Sequence, residues 1–173
     1  RMDAGDIISQ VTEPIDETDT AGALHDKLAL AGVAPVCEAI DAIAAGTVVS
    51  HPQDEALVTV ARKLKKADGR LDWTAAARTL YNRVRGFNPW PCCHCELTTG
   101  AGAAPIQLKV LTARVESGDG DPGSLLDIGE EGPLVATGAE ALRLLEVQPA
   151  GKRRMSGQDL VHGYRLTVGA TFT

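Results

Sequence analysis

The sequence predicts an α+β chain, with helices near the start, a long irregular stretch, and then one helix leading into a small β-barrel or sandwich. Three observations predict it. Apolar residues recur at helical spacing between residues 19 and 46 and again between 72 and 85, while the stretch between them holds no sustained period. From Cys95 onward, short apolar runs alternate with Gly- and Asp-rich turns at the spacing of a small barrel. With 173 residues, 44% apolar and 23% charged, the chain has ordinary globular composition and enough length for one large core or two small ones.

The elements follow in chain order. Asp6 to Val11 reads as a short strand. Asp19 and Thr20 can cap a helix whose Leu24 and Leu28 lie four apart, and Val33, Val36, Ile40 and Ile43 continue that period until Gly46 stops it. Residues 47 to 70 mix a His-Pro pair with scattered charge and read as a linker. Asp72 can cap a helix to about Arg85, with Ala76, Leu80 and Val84 one turn apart; Asn88 and the prolines after it end that helix. Strands are expected at 95–99, 106–116, 124–128, 134–137 and 142–147, separated by turns such as SGDGDPG and GEEG. Ser156 caps a last short helix near 158–161.

Charge is unevenly distributed. Within a net −6, residues 1–61 set two basic side chains against eleven acidic ones, residues 62–91 eight against two, and residues 92–173 seven against ten. A basic island inside an acidic chain is the footprint of a polyanion partner, with a solvated helix face as the bland alternative. Six aromatic residues leave little for an aromatic base-stacking sheet, so RNA contact would rest on Lys and Arg. No run reaches about 18 consecutive apolar residues, and even 29–45 carries Glu38 and Asp41, so a membrane span is not expected. The start has no secretory pattern. Cys37, Cys92, Cys93 and Cys95 are too few and too clustered for a disulfide scaffold. An intracellular protein with reduced thiols is expected.

Two stretches carry more than composition: RGFNPWP at 85–91 and LEVQPAGKRRM at 145–155. Together with MDAGD at 2–6, DTAGALHDKL at 19–28 and KLKKADGRLDW at 63–73, they occur in the order found in one family. The chain resembles the C-terminal half of methionyl-tRNA formyltransferases, from Met2 almost to the end. That resemblance implies a division into 1–46, the tail of a doubly wound α/β formyltransferase domain; 47–70, a basic linker; and 71–173, a C-terminal OB-like domain that helps hold tRNA. It also implies an enzyme, cytoplasmic in a bacterium and organellar in a eukaryote, monomeric at full length and using no metal, that moves the formyl group of 10-formyltetrahydrofolate onto the amino group of initiator methionyl-tRNA.

The same resemblance assigns residues. Asp3 matches the Asp of an Asn-His-Asp trio, orienting a His that, with the Asn, stabilises the oxyanion formed on amine attack. On its dipeptide alone, Asp3 beside Gly5 is a turn residue. The Asn and His lie in sequence upstream of this chain, so the 173-residue polypeptide alone is expected to be inactive. An apolar face is also expected to stand open where the first domain's sheet would cover it. Lys63, Lys65 and Lys66 match the family's basic linker and read as a phosphate-tracking strip, or otherwise as a merely soluble linker.

Arg83 and Arg85, two apart, diverge by about 200° around their helix and are expected to do different jobs, one facing RNA and the other the chain itself. Lys152, Arg153 and Arg154 sit in a loop whose exposure suits phosphate contact. Trp90, between two prolines, reads as a core plug at the helix-to-barrel junction rather than a base-stacking platform. The cluster Cys92, Cys93, His94 and Cys95 lacks zinc spacing, and on a strand Cys93 and Cys95 would share one face. Relatives acting on small amino sugars, or on formyltetrahydrofolate itself, are the alternative. They usually read PYPGA where this chain reads NPWP, and their linkers are less basic.

Overall fold

The computed structural model describes residues 4–100 and 102–173. The chain divides into two units, Arg1–Lys63 and Leu64–Thr173. The first contains α1 (Ala21–Ala31), α2 (Val33–Ala45) and a 3-10 turn at Glu55–Leu57. Thr20 caps α1, its hydroxyl accepting from the Ala23 N–H at 3.1 Å, and Gly46 ends α2 in the left-handed conformation at φ 67°. The break between the helices has a local cause. Pro35 has no N–H to offer the Ala31 carbonyl four residues back, and its ring crowds that group, so α1 stops there and Gly32 makes the turn.

The strand expected at 6–11 shrinks to one bridge, Ile7 with His51, paired by two backbone hydrogen bonds of 2.8 and 2.9 Å. A single pair does not make a strand, because a ladder needs neighbouring pairs to hold each residue extended. No sheet forms among the described residues of this unit, parallel or otherwise. Neither helix buries a residue, and Val33, Val36, Ile40 and Ile43 are all more than half exposed. By length and composition alone, Ala21–Ala45 is apolar enough to cross a membrane, a point that counting uninterrupted apolar residues missed. It is nevertheless two helices broken at Gly32 and carrying Asp26, Lys27, Glu38 and Asp41.

The second unit holds seven strands and two helices: α3 (Ala77–Gly86), β1 (Cys93–Thr98), β2 (Ile106–Glu116), β3 (Leu125–Gly129), β4 (Gly132–Ala136), β5 (Ala141–Pro149), β6 (Met155–Ser156), α4 (Gly157–Tyr164) and β7 (Thr171–Phe172). All pairings between these strands are antiparallel, in the order β3-β4-β5-β2-β1-β7, with β6 on β5. The two ends of that order meet. Ser124 bridges Thr171, Leu125 N–H donates to the Ala170 carbonyl, and Phe172 N–H donates to the Gly123 carbonyl at 2.7 Å. The sheet thus curls into a nearly closed barrel, which leaves few unpaired edge groups.

Register slips at Val110–Thr112 and Thr112–Ala113 on the β2–β5 ladder put both Val110 and Leu111 inside, a bulge that re-aims the strand. The core lies between the sheet and α3, where Ala77, Leu80 and Val84 are buried, and continues under α4 through Leu160 and Val161. Trp73 meets Phe172 edge to face at 5.8 Å. The helix expected from Asp72 begins five residues later. Asp72 accepts instead from the Thr74 N–H and hydroxyl in a local turn, and the Ala77 N–H is satisfied by the Ala139 carbonyl at 3.0 Å. A tertiary partner does the capping here. Ser156 does cap α4, in a reciprocal capping box with Asp159.

Candidate nucleic-acid interface

The predicted cations fall in different places. Asp3 lies outside the described residues. Lys63 is exposed at the end of the first unit, and Lys65 and Lys66 open the second. Lys65 precedes a 3-10 turn, Lys66–Gly69, closed by Asp68, whose carboxylate accepts from the Lys65 N–H at 2.7 Å. This turn docks on β1. Leu71 N–H donates to the His94 carbonyl at 2.9 Å, and Gly69 lies so close that an added Cβ would sit 2.2 Å from the Cys92 carbonyl oxygen. A stretch without sequence periodicity is therefore held in place by tertiary contact.

Arg83 and Arg85 occupy the last turn of α3, where cations complement the helix dipole. Each lies over an aromatic ring. Arg83 stacks on Phe87 at 5.6 Å, and its charge helps hold the Asp72 carboxyl below its usual range, although the hydrogen bonds from Thr74 are the larger cause. Arg85 packs on Tyr81 at 5.4 Å, and its Nε donates to the Asn82 side chain at 3.2 Å; Arg78 lies over the same ring at 5.5 Å. These aromatic contacts restrict the side chains and leave the guanidinium charges in place.

Lys152, Arg153 and Arg154 form the exposed loop between β5 and β6. Lys152 N–H donates to the Pro149 carbonyl, Gly151 takes φ 71°, and the Gln148 amide donates to the Lys152 carbonyl at 3.0 Å. The loop's turn is thus fixed at its base.

The tertiary structure joins several of these cations along one furrow made of three depressions. One of them, about 480 Å³, is lined by Lys66, Trp90, His94, Lys109 and the Gln148–Gly151 turn, among others. It shares His94 and Gln107 with a small depression that also contains Arg70 and Glu96. That one shares Arg70 and Thr173 with a third depression, also about 480 Å³, which includes Arg83, Asp72 and Trp73. Lys66, at one end of the furrow, and Arg83, at the other, were singled out from sequence. Arg70, His94 and Lys109 were not chosen as binding residues. Lys109 is visible in hindsight as an outward position of an alternating strand, while Arg70 gains its place only because the preceding turn docks on β1.

Trp90 corrects the sequence expectation. It is 53% exposed at the furrow, and the core plug is Trp73, at 4%. Residues 87–92 form a tight turn closed by the Cys92 N–H on the Phe87 carbonyl at 2.9 Å, which carries Trp90 outward. The alternation expected of the cysteine cluster holds: Cys93 and Cys95 face the core, and burial pushes both thiols up to about 12. Among the described residues no group of three His, Cys, Asp or Glu stands close enough to share a metal ion.

Residues 63–165 match the family model described as "Formyl transferase, C-terminal domain". Over 98% of its length the chain is 40% identical to a methionyl-tRNA formyltransferase of Bacillus pumilus and 44% identical to one of Pseudomonas paraeruginosa, covering 52% and 53% of those proteins. It spans about half the length of the curated relatives it matches. Among solved structures, HypX from Aquifex aeolicus in complex with tetrahydrofolic acid superposes with a TM-score of 0.68 at 19% identity, over 96% of this chain and 29% of that one.

Proposed function

Because this chain belongs to the formyl transferase family and carries its C-terminal domain, we propose that it is the tRNA-holding half of a cytoplasmic methionyl-tRNA formyltransferase. The complete enzyme transfers the formyl group of 10-formyltetrahydrofolate to the amino group of initiator methionyl-tRNA. Residues 1–46, with Asp3, are then the tail of the doubly wound catalytic domain, residues 47–70 the basic linker, and residues 71–173 an OB-like domain. The observation that carries the reading is the furrow, where Lys66 and Arg70 of one turn, Arg83 of α3 and Lys109 of β2 line three depressions that share residues. Cations spaced along a groove suit a phosphate backbone, which is bound chiefly through charge. The exposed Lys152–Arg154 loop adds to that field.

The folate cosubstrate belongs with the catalytic domain, of which this chain contributes Asp3, and none of the furrow's depressions is assigned to it. The test is binding of labelled initiator tRNA at two salt concentrations, beside an elongator tRNA and a polyanion control. Salt-dependent binding is expected. Replacing Lys63, Lys65 and Lys66 together by Ala should flatten the salt slope by up to about three units. Absence of binding at low salt would refute the reading, and an unchanged slope would assign the three lysines to solubility alone.

A further inference from the structure

The depression lined by Trp90 is built differently from the rest of the furrow. Its ionisable lining is Lys66, His94, Lys109 and Cys92, and no acidic side chain lines it among the described residues. Trp90 stands in it half exposed, in a chain with only two tryptophans. The turn that carries Trp90 is braced at three points. Cys92 N–H closes it on Phe87, the Asn88 side-chain amide donates to the Leu111 carbonyl at 3.0 Å, and the Cys92 thiol donates to the Pro89 carbonyl at 2.9 Å. An indole half exposed in a cleft that Lys66 and Lys109 also line offers apolar aromatic surface and positive charge together. At about 480 Å³ the cleft falls within the roughly 300–1,000 Å³ typical of small-ligand sites.

We propose that this cleft is a nucleotide subsite, in which an unpaired base of the bound RNA stacks on Trp90 while its flanking phosphates lie against Lys66 and Lys109. The proposal rests on the RNA-holding reading above and narrows it. Phosphate contact alone needs no indole, and a base inside a duplex already has both faces stacked, so the ligand that uses both features is a splayed-out nucleotide. Gln107 and Gln148 add amide groups at the cleft wall.

Trp73 is buried, so quenching of intrinsic fluorescence by RNA reports Trp90. The full chain is titrated with initiator tRNA and with an unstructured oligonucleotide, and affinity is followed separately by anisotropy of labelled RNA. Both RNAs are expected to quench. Trp90→Ala should weaken binding at least about fivefold with no change in salt slope, because no charge is lost, and Trp90→Phe should keep most of the affinity. Lys66→Ala with Lys109→Ala should instead lower the slope by up to about two units. Salt-dependent RNA binding without quenching, and without loss in Trp90→Ala, would overturn the subsite while leaving the RNA-holding reading intact. Failure of the unaltered chain to bind RNA at low salt would overturn both. Equal quenching by polyglutamate would overturn it in favour of an acidic-peptide site. Should Trp90→Ala misfold by circular dichroism, Trp90→Phe and the quenching of the unaltered chain carry the decision.

Discussion

Replacing Gly69 by Ala removes no charge, yet it should unseat the turn that presents Lys66 and Arg70. The added Cβ would lie 2.2 Å from the Cys92 carbonyl oxygen and 3.1 Å from His94 Nδ1, where ordinary contact begins at 3.4 Å. The turn must therefore retreat by more than an ångström. Overpacking of this kind costs about 1–3 kcal/mol. Retreat also stretches the Leu71 to His94 hydrogen bond from 2.9 Å, worth about another 1 kcal/mol. A loss of about 2–4 kcal/mol in a unit of this size lowers Tm by roughly 8–16 °C at about 4 °C per kcal/mol.

The assay pairs thermal unfolding, followed by far-UV circular dichroism, with the salt dependence of tRNA binding. Gly86→Ala is the control of opposite sign: Gly86 is the last residue of α3 and has nothing within 4 Å of an added Cβ, so the substitution should stabilise by about 0.4–1 kcal/mol. A Tm for Gly69→Ala within about 2 °C of the unaltered chain would refute the packing argument. A lowered Tm with unchanged RNA affinity and slope, measured well below that Tm, would show that docking the turn on β1 is irrelevant to binding.

Other outcomes follow from the barrel. Arg143, 8% exposed, donates to both Glu116 oxygens, to Asp127 and to the Gly132 carbonyl, so Arg143→Met should cost about 2–3 kcal/mol by denaturant unfolding, less than a fully buried pair because Glu116 and Asp127 are partly solvated. The Glu116 carboxyl is held down to about 2 from its ordinary 4.5, mainly by Arg143 and secondarily by Arg114. Its contribution to stability is therefore complete above about pH 4.5 and disappears as pH falls toward 2, and Arg143→Met should lose stability less steeply over that window; parallel acid limbs would refute the assignment. With their thiols pushed up to about 12 by burial, Cys93 and Cys95 should resist alkylation at pH 8 until denaturant is added, whereas exposed Cys37 reacts at once. Four thiols labelled in the native state would contradict the burial.

Periodicity made much of the fold legible because it reports burial directly. The helix capped by Ser156 and the long strand at 106–116 repeat every 3.6 or 2 residues against the barrel core and appear where expected, and the helix closed by Gly46 appears where expected although it buries no residue. The failures share a cause. Asp72 looked like a cap, but the Ala139 carbonyl takes that role; residues 6–11 looked like a strand, but only Ile7 finds a partner; Trp90 looked like a plug, but the closed turn at 87–92 turns it outward. Each depends on hydrogen bonds that periodicity does not report, remote ones for Ala77 and Ile7 and a local one for the turn that Cys92 closes on Phe87.

The candidate interface divides the same way. Sequence by itself determined the inventory: the basic island, the cation loop at 152–154, the inward-facing cysteines and the motifs that mark the family, because side-chain chemistry and alternation are local properties. Only the tertiary structure decided which cations act together. Lys66, Lys109 and the Gly151 turn share a cleft because β1 pairs with β2 and β2 with β5, while the docked 3-10 turn lays Arg70 beside His94 and carries the furrow on toward Arg83. Charge can be counted along a chain, but a groove is made by strands that meet across dozens of residues, and their register sets which charges a polyanion meets together.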